Sequence, residues 1–89
     1  MNKSILILGR RDPTEAMRIA AGLTIYDHRL SLVFMVPIPN TPKNQEMIEL
    51  LEFSDITPGA TVVNEFDFAD INAETLAKAM VDADEIINI

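Results

Sequence analysis

The 89-residue chain contains no cysteine. A disulfide, a thiolate nucleophile, a persulfide and a Cys-ligated metal are therefore all excluded within it. Its one histidine, His28, removes a histidine cluster as a metal site. Glycine is scarce, with three residues. Neither G-x-G-x-x-G nor G-x-x-x-x-G-K-[ST] occurs, so both nucleotide fingerprints are missing. No apolar stretch approaches the roughly 20 residues needed to span a bilayer. No charged-then-apolar leader with a small-residue cleavage site is present. The expectation is a soluble, cytoplasmic protein without a cofactor.

Cations are also scarce, and unevenly so. Residues 1–45 carry six Lys/Arg against three Asp/Glu, whereas residues 46–89 carry one Lys against eleven Asp/Glu. The net charge of −7 argues against nonspecific DNA or RNA binding, which needs a basic surface. The asymmetry would let the basic part of one subunit meet the acidic part of another. A hydrophobic fraction of 48% argues for one folded domain spanning residues 1–89. A chain this short buries a modest fraction of its surface, so association would help it.

The run ILILGRRDPTE at residues 5–15 organises the rest. An unbroken apolar run ending at Gly9 predicts a strand covered on both faces, as in a parallel sheet. Gly9 suits a sharp turn. Asp12 has the position of a helix N-cap, Pro13 of the first helical residue, and Glu15 completes capping-box spacing. Ala16, Ile19, Ala20, Leu23 and Tyr26 then recur at helical steps.

Residues 27–29 read as a polar turn, and residues 30–36 as a second doubly buried strand. The link through the first helix is long enough for a parallel crossover. Three prolines between positions 37 and 42 close that strand. Thr41 and Pro42 start a second helix with Met47, Ile48, Leu51 and Leu50 on its apolar face, ending near Phe53 and Ser54. A third, more polar strand is expected over residues 60–66, then an acidic aromatic loop over residues 66–70. Asn72 or Asp70 caps a third helix whose apolar face is Leu76, Ala77, Met80 and Ala83. Residues 85–89 form a last strand.

The resulting β-α-β-α-β-α-β order predicts an α/β domain, with a mostly parallel four-stranded sheet and helices on both faces. A flavodoxin-like strand order of 2-1-3-4 is expected. Ligands then belong beyond the C-terminal ends of the strands. Three loops are expected at that rim, over residues 9–12, 37–41 and 66–70.

Arg10 and Arg11, just before a helix N-terminus, suit a small anion. They equally suit solvent, Asp12, Glu15 or a neighbouring subunit. Glu65, Asp67 and Asp70 form a weak acid/base or metal pattern, and Asp70 is explained as well by capping. His28 is expected at the opposite end of the sheet from the rim. Ser4, Ser31 and Ser54 lack a nucleophile-elbow context. Phe66 and Phe68 line a pocket, a subunit contact or the core. The residues expected at any ligand are Arg10, Arg11 and Asp12, with Asn40 and Phe68 opposite. No catalytic or metal-binding residue is assigned.

The opening ILILGRRDPTEAMRIAAGL resembles the start of DsrE/DsrF-like proteins. The shared features are an apolar first strand, a short Asp-Pro turn, a helix with an A-x-x-I-A-x-x-L-like face and an apolar second strand. The likeness covers roughly the first 40 residues by motif and the remainder by element order. It implies a small α/β sheet that assembles into oligomers. Some members relay sulfur on a Cys near the C-terminal rim. Without cysteine this chain would be a non-catalytic member, a partner subunit, or a binder of a small ligand.

Overall fold

The computed structural model describes residues 3–23, 29–54, 56, 58–62, 66 and 68–89. Expectations for Tyr26, Asp27, His28, Glu65 and Asp67 lie outside these residues. The fold is α/β, with one parallel sheet and helices on both faces. In chain order the elements are β1 (Ser4–Gly9), α1 (Pro13–Leu23), β2 (Arg29–Phe34), α2 (Pro42–Phe53), β3 (Gly59–Ala60), β4 (Ala69–Asp70), α3 (Ala73–Asp82) and β5 (Glu85–Asn88).

β1 is the central strand that its apolar run predicts. Ile5, Leu6, Ile7 and Leu8 are all buried, because side chains alternate between two covered faces. Ile5 and Ile7 join Leu32 and Phe34 beneath α1 and α2, where Ala16, Met17, Ala20, Ile48 and Leu51 complete the larger core. Leu6, Leu8 and Val33 face the other way, against Leu76 and Ala79 of α3 and Ala83 at its C-cap. Two helices thus cover one face and a single helix covers the other.

Three expectations are corrected. Among the described residues the sheet has five strands, in the order β4-β3-β2-β1-β5, not four in the order 2-1-3-4. The third strand lies beyond β2, and the last strand pairs with β1 through Ile5–Glu85 to Leu8–Asn88. The stretch read as an acidic loop contains β4, whose two residues pair with β3. β3 itself has two residues and is shorter than the expected third strand. Strands this short carry no readable period, and alternating elements leave the order of neighbours open.

Gly9 is also corrected. It is the last residue of β1. A Cβ there would lie 2.8 Å from the Phe34 ring and 3.4 Å from the Ala16 methyl. The small residue is needed for close packing against Phe34 of β2 and Ala16 of α1 rather than for a turn.

The helix starts follow the capping logic. Asp12 accepts from the Glu15 amide at 3.1 Å, Thr41 from the Asn44 amide at 3.2 Å, and Asn72 from the Thr75 amide at 2.7 Å. The reciprocal half of the first capping box is absent. Glu15 turns instead to the Arg18 guanidinium, and the Asp12 amide faces Ile89.

Candidate functional site

All five strands end on one rim. From β1 the chain builds the sheet outward through β2, β3 and β4. It then returns to add β5 on the other side of β1. The winding therefore reverses between β1 and β5, the place where doubly wound sheets open a crevice. A cavity of about 210 Å³ lies there, lined by Arg10, Arg11, Asn88 and Ile89.

The turn after β1 aims three consecutive backbone N–H groups at one point. Arg10 and Arg11 each donate to the Ile89 main-chain oxygen at 2.9 Å, and Asp12 does so at 3.4 Å. This oxygen occupies the position an anion would take at the start of α1. Ile89 in turn donates to the Leu8 carbonyl at 3.0 Å. The turn is held by the chain's own end strand.

The Arg10 and Arg11 side chains remain exposed. Among the described residues neither makes an ion pair, because Asp12 caps α1 and Glu15 is taken by Arg18. The Arg18 contact holds the Glu15 carboxyl below its usual pKa, and the same hydrogen bond raises the Arg18 guanidinium.

The other expected site residues go elsewhere. Asn40 accepts from the Gln45 side-chain amide at 2.6 Å, ahead of α2. Phe68 stacks between Phe34 and Phe66, with ring centroids 5.5 and 5.6 Å away. Phe68 thus extends the larger core. Neither lines the cavity beside Arg10 and Arg11. Asp70 is exposed in β4, and Asn72, not Asp70, caps α3. Among the described residues no group of three His, Cys, Asp or Glu side chains comes together to hold a metal. No helix there is long and apolar enough to cross a membrane.

Sequence reasoning missed Asn44. Among the described residues it is the buried polar one, 2% exposed. Its side-chain nitrogen donates to the Pro39 carbonyl at 2.8 Å, and its oxygen accepts from the Thr14 hydroxyl at 2.6 Å. One amide therefore ties the proline loop and α2 to the first turn of α1. The chemistry is positional: it fixes the loops of the rim.

A second cavity of about 220 Å³ opens beside α3, over β2 and β3. Leu6, Val33, Gly59, Ile71, Thr75 and Ala79 are among its walls, and none of the described residues lining it is ionisable. It exists because one ten-residue helix cannot cover a five-stranded sheet. Met80 of α3 and Ile86 of β5 are exposed, and Val81 lies on the outer side of α3.

No protein-family model, curated protein or solved structure matches the chain.

Proposed function

We propose that this chain is a small cytoplasmic DsrE-like domain without catalysis of its own, which acts by self-association or as a subunit of a larger, sulfur-metabolism-related complex. One observation carries the assembly half of this reading. The α3 side of the sheet is incompletely covered: α3 has no fully buried residue, and Met80 and Ile86 are exposed. Apolar surface beside an open sheet edge favours a protein partner. The DsrE-like part of the reading rests on the opening motif, since the alternation of strands and helices is common to α/β domains.

A second reading, a domain binding a small anion at the Arg10–Arg11 turn, draws on the cavity at the β1/β5 reversal. The Ile89 oxygen weighs against it, because it already occupies the three amides an anion would use.

Native mass spectrometry of the purified protein separates the two. A discrete multimer without added mass is expected. A bare monomer at all concentrations would overturn self-association and leave a different protein as the partner. A reproducible small adduct that disappears in an Arg10→Glu, Arg11→Glu variant would favour the anion reading.

A further inference from the structure

Among the described residues β5 is an outer strand, bonded to β1 on one side only. Its backbone directions follow from its partners. Ile89 sends both its N–H and its C=O toward the β1 side, to Leu8 and to the turn after β1. Along a strand these directions alternate. Ile87 therefore also bonds inward, and Ile86 and Asn88 present their N–H and C=O groups outward.

The edge is charged oppositely at its two ends. Asp84 and Glu85 stand at its start, and Arg10 and Arg11 flank Asn88 and Ile89 at its end. The Asp84 carboxylate is engaged by the Ser4 amide at 2.9 Å, which leaves Glu85 available. The nearby apolar surface lies to one side. Ile86 is paired with Leu6 and so shares the α3 face of the sheet. On α3, Thr75 borders the β2–β3 cavity, and the helical period sets Met80 on the opposite flank, toward β5.

The geometry points to a second copy of this chain as the occupant of this edge, paired antiparallel to β5 about a two-fold axis. This rests on the self-association reading and gives it a geometry. Outward-facing residues must pair with outward-facing residues, and of the registers this allows, opposite charges meet in the one where Ile86 exchanges hydrogen bonds with Asn88 of the second copy, and Asn88 with Ile86 of the second copy. Ile87 then lies opposite its own counterpart, and Glu85 lies opposite Ile89 of the second copy. That places each Glu85 beside the other copy's Arg10 and Arg11, twice, by symmetry. The register joins opposite charges and keeps the two Glu85 side chains apart. A parallel arrangement would set like ends together. The short, acidic strand discourages other edge partners but is neutralised by this one. Met80 and Ile86 of both copies flank the joint on the α3 side. The acidic residues Glu46, Glu49 and Glu52 lie on α2, which packs chiefly against α1 and stays away from the joint.

Sedimentation against protein concentration tests this, with hydrogen exchange as a second readout. The wild-type chain should form a dimer, and the Ile86 and Asn88 amides should gain protection as concentration rises. Asn88→Pro removes an outward N–H at an edge position that tolerates proline, and it should give a folded monomer. Arg10→Glu with Arg11→Glu should weaken the dimer about tenfold or more, and adding Glu85→Arg to that variant should restore it. An oligomer that persists unchanged in Asn88→Pro, with Ile86 and Asn88 amides unprotected at every concentration, would overturn the β5 pairing and leave self-association standing through another surface. A wild-type chain that stays monomeric at millimolar concentration would overturn both.

Discussion

Asn44 and Gly9 show what single residues contribute, and both act through partners distant in sequence. The Asn44 amide bridges Thr14 and Pro39 inside an otherwise apolar core. Asn44→Ala leaves the Thr14 hydroxyl and the Pro39 carbonyl without it, which costs about 1–3 kcal/mol. In a domain of this size each kcal/mol lowers Tm by roughly 4–8 °C. An unchanged melting curve would mean that the two stranded groups reach water. Gly9→Ala should cost about 1–3 kcal/mol, because the new methyl meets the fully buried Phe34 ring at 2.8 Å. Gly22→Ala is the counterpart. It is exposed in α1 with nothing within 4 Å of the new methyl, so it should stabilise by about 0.5–1 kcal/mol. Equal effects in the two variants would contradict the packing account. The caps at Asp12, Thr41 and Asn72 were legible in the sequence, since each bonds an amide three residues on. Asn44 was not, because its Thr14 partner lies 30 positions back.

At the scale of elements, the contrast is between α1 and α3. α1 buries Pro13, Ala16, Met17 and Ala20, and α3 buries nothing completely. Most helix stability in proteins comes from such packing. Amides of α3 should therefore exchange well before those of α1 and β1. Asn72→Ala should destabilise α3 by about 1 kcal/mol and accelerate its exchange selectively. Uniform acceleration across the chain would show that α3 opens only with the whole domain. The face of α3 was only partly legible. Leu76 and Ala83 pack as their spacing predicts, but Ala79 takes the place expected for Ala77 and Met80. Alanines on neighbouring flanks of one helix do not distinguish themselves by period. In α1, Glu15 belongs to an exposed pair with Arg18. Its lowered pKa means that any stabilisation is present above the pKa of an unfolded glutamate and is lost as pH falls through the lower folded value. A carboxyl titration followed by NMR should show the Glu15 midpoint rise toward its ordinary range in Arg18→Ala. A midpoint that does not move would assign the shift to something other than the pair.

For the whole molecule, the alternation of elements made the α/β class and the parallel sheet legible, but the position of β5 was not. Placing β5 beside β1 brings the acidic second half of the chain against the more basic first half. The attraction is incomplete, because a net charge of −7 remains. Self-repulsion should therefore limit stability, and moderate salt, which shortens the screening length to about 8–10 Å, should raise Tm. The expected increase is a few degrees in dilute protein, where association contributes nothing. The Glu85 contacts with Arg10 and Arg11 of a second copy would respond to salt in the opposite sense, because screening weakens attraction as well as repulsion. Thermal melts across a salt series at low and high protein concentration separate these terms. Salt should stabilise strongly when the protein is dilute and less when it is concentrated. A Tm that falls with salt in dilute protein would mean that attraction between the two halves of one chain outweighs the excess of acidic charge. The β1–β5 junction, where those halves meet, would then be a stabilising electrostatic contact within the monomer as well as the edge available to a partner.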